Sequence, residues 1–279
     1  MENIHTKETE LSLIVPQMWS EKWYDTLLAE LPFAGLIDTQ YEGEIQAMGD
    51  RVKISTMSEF SEAELVGEAD RPDTDLLSVS QQELLINKMV VKDFLVTNRA
   101  LLQSLPFVEK MKNMAVYAVN KKIQSEIIAL IVPSAAAPDH QIAYASGTTL
   151  ALADILAAKE LLDAQNVPTA DRHMVLGSAQ LNDIFNITQL TSSDFIRDGS
   201  PISSGKLPGA IAGFLPDFTT VVGNVAYFFH SSFMTMANQK ALMVKEYDQG
   251  ASGLRGQRVN TDTLLGIKQL DGLRVVTIS

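Results

Sequence analysis

The feature that most constrains the fold is a long predicted β-hairpin over residues 48–94 with an acidic tip. One arm is the alternating segment 51–57, and the other comes from the run 76–91. Between the arms, residues 59–75 carry seven acids and one base, a local charge of −6 out of −12 for the whole chain. Because an isolated two-stranded ribbon is only marginally stable in water, we expect the hairpin to lie on another subunit.

The charged residues of this hairpin are our candidates for a subunit interface. Basic residues on the first arm and acids at the tip are placed to pair with opposite charges on a neighbouring copy. Exposed ion pairs contribute little each, so apolar burial under the hairpin is expected to supply most of the affinity. The candidate residues are Arg51, Lys53, Glu59, Glu62, Glu64, Glu68, Asp70, Arg71, Asp73 and Asp75.

Both tryptophans of the chain fall on one predicted helix that follows Pro16. Trp19 and Trp23 are four residues apart, and leucines continue the spacing at 27 and 31. Two interpretations remain open: a core helix of a single domain, or a helix that docks on a neighbouring subunit, since Trp is enriched at interfaces. Trp19 and Trp23 are therefore included among the candidate interface residues.

The longest helical pattern covers residues 105–132. Its charged residues exclude a membrane-spanning helix, and Pro133 ends it. At 1.5 Å per residue it spans about 40 Å, which predicts the spine of a domain packed on a sheet. The apolar stripe consists of Val108, Met111, Ala115, Val119, Ile123, Ile127 and Leu130.

A compact mixed α/β unit is predicted after the spine helix. We expect a helix capped by Thr148 or Thr149 and ending near residue 165, a buried strand at 174–176, and a short helix starting at Ser178. Strand-like runs follow at 210–212, 219–222 and 225–229. Residues 191–209 are predicted to form a long mobile loop, and residues 241–279 to return as strands to the sheet beneath the spine helix.

Composition excludes several classes of function. The chain has no cysteine, no N-terminal signal pattern, and four histidines without metal-ligand spacing. The net charge of −12 argues against a nucleic-acid-binding surface. His230 precedes two serines, but no nucleophile motif surrounds them. We therefore predict no catalytic residue, no cofactor and no bound metal.

The order of these elements resembles the major capsid proteins of tailed bacteriophages, which have the Hong Kong ninety-seven shell fold. The segment Tyr-Glu-Gly-Glu-Ile at 41–45, followed by Gly-Asp-Arg-Val at 49–52, resembles the entry to the extended E-loop of that family. Shorter similarities lie at 15–20 (arm helix), 90–94 (return into the P-domain), 167–176 (first sheet strand of the A-domain) and 209–214 (a later stretch leading to a surface strand).

The resemblance implies an α+β fold with five parts. These are an N-terminal arm (1–43), an E-loop hairpin (44–94), a P-domain with the spine helix (95–146), an inserted A-domain (147–240) and return strands of the P-domain (241–279). It implies a non-enzymatic protein that self-assembles into pentamers and hexamers of an icosahedral shell around phage double-stranded DNA.

The same resemblance implies the partners and the location. The partners are other copies of the chain in hexamers and pentamers, a separate scaffolding protein, a portal, and packaged DNA without specific binding, with no membrane contact. The location is the virion, after assembly in the host cytoplasm. No spacing identifies the covalent Lys–Asn crosslink that some family members form, so none is predicted. Two alternatives stay open: an encapsulin-type compartment shell and, from a different class, an α/β enzyme with an unrecognised site.

Overall fold

The computed structural model describes residues 28–42, 50–57, 60, 62–63, 74, 76, 78–98, 105–191, 209–248 and 256–279. The helices are α1 (Phe33–Leu36), α2 (Leu105–Leu130), α3 (Leu152–Ala164), α4 (Ser178–Phe185) and α5 (Thr188–Thr191). The strands are β1 (Arg51–Met57), β2 (Val79–Leu85), β3 (Lys88–Thr97), β4 (Gln141–Ile142), β5 (Arg172–Leu176), β6 (Leu215–Phe218), β7 (Ala226–His230), β8 (Met234–Asp248), β9 (Gly256–Gln269) and β10 (Val275–Ile278). In the described part of the chain, no helix has the length and apolar character to cross a membrane.

The spine helix α2 lies on a three-stranded antiparallel sheet of order β3-β9-β8. Val119, Ile123 and Ile127 are spaced by four residues, so they share one helix face, and all three are buried in a cluster that includes Leu265 and Ile267 of β9. At the side of this contact, Lys88 and Glu126 form an ion pair of 2.5 Å. The predicted spine helix is confirmed.

A five-stranded mixed sheet of order β4-β10-β7-β5-β6 forms the second layer, and both of its faces are covered. Successive residues of β7 point to opposite faces. Phe228 is buried in a cluster with Leu162 of α3, whereas Phe229 is buried in a cluster with Phe33 and with Val119 of α2. The sheet therefore lies between α3 on one side and the spine helix on the other.

Strand pairing corrects the predicted hairpin. β1 pairs antiparallel with β2 from Arg51↔Leu85 to Met57↔Val79. The predicted second arm, 76–91, is interrupted after Leu85, because β3 pairs along its whole length with β9 instead. The hairpin prediction therefore holds for 79–85, and β3 belongs to the sheet beneath the spine helix.

The predicted return strands 241–279 belong to two different sheets. β9 joins the three-stranded sheet, but β10 pairs with β7 and β4 in the five-stranded sheet. β10 is short and buried on both sides, as expected for a strand inside a covered sheet.

Three local predictions differ from the structure. α3 begins at Leu152, and its cap is the Asp154 carboxylate, which accepts from the Ala151 N–H at 2.8 Å; neither Thr148 nor Thr149 caps it. The run 210–212 is part of a turn closed by an Ile211–Phe214 bridge. The run 219–222 contains the 3-10 turn Thr220–Val222.

Candidate intersubunit surfaces

The base of the β1–β2 hairpin is fixed to its own subunit. Ile54, Leu84 and Ile86 are buried with Ala237 of β8 in one apolar cluster. The backbone also contributes, since the Ile86 N–H donates to the Asp50 carbonyl at 2.9 Å and closes the base of the ribbon. The hairpin therefore leaves the domain from a fixed starting point.

A glycine makes the close contact under the hairpin possible. At Gly266 of β9, a Cβ atom would lie 2.5 Å from the Leu85 carbonyl oxygen, far inside van der Waals contact. Beside it, the Gln82 side-chain amide donates to the Leu270 carbonyl at 2.9 Å. The absence of a side chain at Gly266 lets the two backbones meet.

The distal end of the hairpin is apolar and exposed. Met57 and Val79 are opposite each other in the register, and their exposed fractions are 65% and 48%. Beyond them, Phe60 is 61% and Leu76 is 92% exposed. Grouped exposed apolar residues on a projecting ribbon are typical of an interaction surface.

The predicted charged residues have different surroundings. Arg51 binds within its own chain, at 3.2 Å from Asp50 and 3.3 Å from Glu83. The hydrogen bond from Arg51 lowers the pKa of Asp50. Lys53 is exposed and stands opposite Glu83, and Glu62 is exposed. The other candidates, Trp19, Trp23, Glu59, Glu64, Glu68, Asp70, Arg71, Asp73 and Asp75, lie outside the described residues.

A second surface is the face of the three-stranded sheet opposite α2, here called the open face. The register places alternate residues of its strands on this face, and the hairpin base covers only one end of it. Five apolar residues on it are between 43% and 62% exposed: Met89, Val91, Leu95, Met243 and Tyr247.

Two ion pairs lie on the open face. Asp93 of β3 forms an ion pair with Arg258 of β9 and accepts from the Asn260 amide at 2.5 Å. The hydrogen bond from Arg258 lowers the pKa of Asp93. Lys240 pairs with the buried Asp262 where two register shifts interrupt β8. With these charges paired within the chain, the exposed apolar residues, together with the exposed Lys245, are the surface that this face offers to a neighbour.

The segment 28–42 is fastened to three elements of the core. Tyr117 of α2 donates to the Ala29 carbonyl at 3.1 Å and accepts from its N–H at 3.0 Å. Thr219 donates to the Glu30 carbonyl at 2.6 Å. Asp38 forms a parallel bridge with Thr235 of β8. The segment 28–42 is therefore held against the body of the subunit at three points.

The described residues offer little for catalysis or metal binding. They contain no group of three or more His, Cys, Asp or Glu side chains arranged for a metal ion. An open groove of about 370 Å³ lies between the start of α3 and the end of α4, where the Asp183 carboxylate accepts from the Leu150 N–H at 3.0 Å. Ser232 Oγ is 2.7 Å from His230 Nδ1, but the same hydroxyl accepts from Arg274 at 2.6 Å. That serine is held in a structural network.

Comparison with known proteins agrees with this architecture. Residues 103–215 match the family model described as phage capsid protein. A chain of Mycobacterium phage Che8 is 20% identical, with 95% of this chain and 97% of that chain covered and a TM-score of 0.75. The capsid structure of the Cyanophage P-SCSP1u is 10% identical in sequence, with 96% of this chain and 93% of that chain covered and a TM-score of 0.76. The Cyanophage Pam1 capsid asymmetric unit is 14% identical, covers 96% of both chains, and has a TM-score of 0.70. No sequence among the curated proteins matches.

The chain has the fold of the proteins that build phage capsid shells. Its central segment, which includes the spine helix and the first part of the mixed unit, matches the phage capsid protein family. The predicted resemblance to phage major capsid proteins and the α+β shell fold are confirmed, and the comparisons give no support to the encapsulin or enzyme alternatives.

Proposed function

We propose that this protein is a major capsid protein, which self-assembles into the pentamers and hexamers of an icosahedral shell enclosing phage double-stranded DNA. The observation that carries the proposal is the likeness of fold to capsid chains over nearly the whole length of both partners. A structural role follows from it, and we infer that the protein is not an enzyme.

The two exposed surfaces fit assembly. The hairpin projects from a fixed base and ends in exposed apolar residues such as Met57 and Val79, while the open face presents Val91 and Tyr247. Covering such surfaces with a neighbour contributes about 25 cal/mol per Å² of apolar area removed from water. By the family resemblance, the hairpin of one subunit lies across the P-domain of the next.

The charge of the chain suits a container for DNA. A net charge of −12 disfavours adhesion to phosphate, which is consistent with packaged DNA held without specific binding. A separate scaffolding protein and a portal complete the proposed set of partners. Assembly in the host cytoplasm and residence in the virion follow from the same assignment.

Electron microscopy of the purified protein tests the proposal. We expect closed shells, or shell fragments that close when phage partners are co-expressed. Persistent monomers or dimers under every condition would falsify the proposed function.

A matched pair of variants tests the hairpin separately. Met57→Ser with Val79→Ser should leave a folded subunit that assembles poorly, because an exposed apolar pair is removed. Thr56→Ala with Ser80→Ala alters the neighbouring cross-strand pair on the opposite face, where the two hydroxyls are 2.6 Å apart, and should assemble normally. Equal shell yields from both variants would exclude the distal hairpin as an intersubunit contact while leaving the shell assignment intact.

A further inference from the structure

Two short connections carry the chain between the two sheets. Ser231–Phe233 joins β7 to β8, and Gly272–Arg274 joins β9 to β10; both are single 3-10 turns. Each is capped by the side chain that precedes it. His230 Nδ1 accepts from the Ser232 N–H at 3.2 Å, and the Asp271 carboxylate accepts from the Leu273 N–H at 2.8 Å. The two connections therefore have the same local construction.

The two connections are also bonded to each other. The Phe233 carbonyl accepts from the N–H groups of Leu270 and Asp271 at 2.9 and 3.2 Å. Through side chains, Arg274 donates one N–H to Ser232 Oγ at 2.6 Å and another to Asp271 at 3.2 Å. The two connections, here called the joint between the sheets, are therefore linked to each other through one backbone carbonyl and through one chain of side-chain hydrogen bonds.

The direction of that chain is fixed by its two ends. Arg274 only donates, so Ser232 Oγ accepts from it and has its own proton to donate to His230 Nδ1, 2.7 Å away. The Ser232 backbone N–H, which also only donates, points to the same nitrogen. His230 Nδ1 must therefore be an unprotonated acceptor, and the imidazole is neutral.

The charges around His230 are mixed, with cations in the majority. Arg274 approaches from the second connection, Arg172 and His173 lie on the paired strand β5, and Asp171 precedes that strand. Burial is the first cause, and Arg274 the second, of the lowered pKa of His230, against which Asp171 acts in the opposite direction.

We propose that His230, Ser232 and Arg274 form an acid-sensitive latch that holds the two connections between the sheets together. When His230 Nδ1 takes up a proton it becomes a donor and can no longer accept from the Ser232 N–H, so the cap on Ser231–Phe233 is lost. Ser232 Oγ can accept from the imidazolium, but this places the imidazolium and the Arg274 guanidinium on one hydroxyl, and the repulsion between the two cations weakens the link to Arg274. The two hydrogen bonds to the Phe233 carbonyl remain.

The sign of the pH dependence follows from the lowered pKa. The latch contributes its full stability above the unfolded pKa of 6.5 and loses it as pH falls from there through the lower folded value. The effect is local to the joint, so the amides of 231–236 and 268–275 should report it.

Hydrogen exchange of the full-length chain, followed by mass spectrometry, tests the latch. Between about pH 7 and about pH 5, where an ordinary histidine titrates, protection corrected for intrinsic rates should fall in these two segments of the native protein. His230→Asn supplies an acceptor oxygen in place of Nδ1 and cannot titrate, so its protection should stay high at both pH values. In His230→Ala the same two segments should be poorly protected at both pH values.

His173→Asn is the matched control, since it removes a neighbouring histidine that caps neither turn. It should keep the pH dependence of the native protein, and residues 119–127 of the spine helix should show none in any variant. The latch is refuted if native protection in the two segments does not change with pH. It is equally refuted if His230→Asn loses protection in acid as the native protein does.

Discussion

The two sheets of this protein differ in what covers them. The five-stranded sheet has α3 on one face and the spine helix with Phe33 on the other, and the side chains of β7 are buried on both sides. The three-stranded sheet has the spine helix on one face, whereas its open face is covered by the hairpin base at one end only. One sheet is completed within the chain, and the other leaves apolar surface that a neighbour can cover.

This difference separates folding from assembly. Substitutions in the five-stranded sheet should change the free energy of unfolding of the subunit. Substitutions on the open face should change association with little effect on folding. Phe228→Ala and the pair Val91→Thr and Val276→Thr test that separation directly, and two further substitutions test the contacts of the hairpin base and of the spine helix.

The largest effect is expected for Phe228→Ala. Phe228 is fully buried and packs edge-to-face on Phe214 with ring centroids 5.2 Å apart. Removing the ring leaves a cavity, which should lower the free energy of unfolding by about 3–5 kcal/mol. Urea unfolding followed by circular dichroism measures it, and a loss under about 1 kcal/mol would contradict the closed packing of this sheet.

Gly266→Ala should lower the free energy of unfolding by about 1–3 kcal/mol, because the new methyl group meets the Leu85 carbonyl oxygen and forces the hairpin base away. The hairpin should also become more sensitive to limited proteolysis. Gly35→Ala is the control, since nothing lies within 4 Å of its added Cβ atom. Equal stability of the two variants would show that the hairpin base does not rest on β9.

Glu126→Gln should remove part of the acid sensitivity of the subunit. Hydrogen bonds from Lys122 and then Lys88 lower the pKa of Glu126 from 4.5 to about 2. The stabilisation is present above pH 4.5 and is lost as pH falls through about 2. Because the side chains are partly exposed, we expect this stabilisation to contribute about 1 kcal/mol to the free energy of unfolding.

Unfolding free energies at about pH 7 and about pH 3 measure this contribution. Glu109→Gln, in an exposed pair with Lys112 on the same helix, is the control and should change less. If Glu126→Gln and the native protein lose stability equally in acid, the ion pairs of Glu126 do not contribute.

The smallest effect on folding is expected for Val91→Thr on the open face. It keeps the branched shape, and because Val91 is 44% exposed the unfolding free energy should change by less than about 0.5 kcal/mol. Shell yield measured by sedimentation should nevertheless fall. Val276→Thr makes the same change at a fully buried position of β10 and should cost about 1–3 kcal/mol. If the two variants lose equal stability, the two sheets do not differ as proposed.

Local patterns allowed much of the fold to be predicted. The spine helix was predictable because Val119, Ile123 and Ile127 repeat at a helical spacing. The strand at 174–176 and the helix starting at Ser178 are marked by an apolar run and by the change of pattern after it. These elements depend on neighbours in sequence.

Long-range partners were not predictable in the same way. The run 76–91 contains neither Gly nor Pro to mark a break, so its sequence does not show that β2 pairs with β1 while β3 pairs with β9. The ion pair between Arg51 and Glu83 on the paired strand was not predicted, and the expected contact of Arg51 with a neighbouring subunit stays a prediction. The local signals for the joint are that His230 and Asp271 each immediately precede a short turn, as capping residues do.

The anchor at residues 28–42 has a mechanical consequence. Tension on the chain at Leu28 reaches these attachments in chain order: first the spine helix through Tyr117, then the turn at Thr219, and last β8 through Asp38. Because the bridge to β8 is parallel to the strand, a pull along it loads the hydrogen bonds in shear, and they must stretch together. In a wall made of identical subunits, this anchor would let a stress applied at one subunit's N-terminal end spread into the body of that subunit instead of peeling it open.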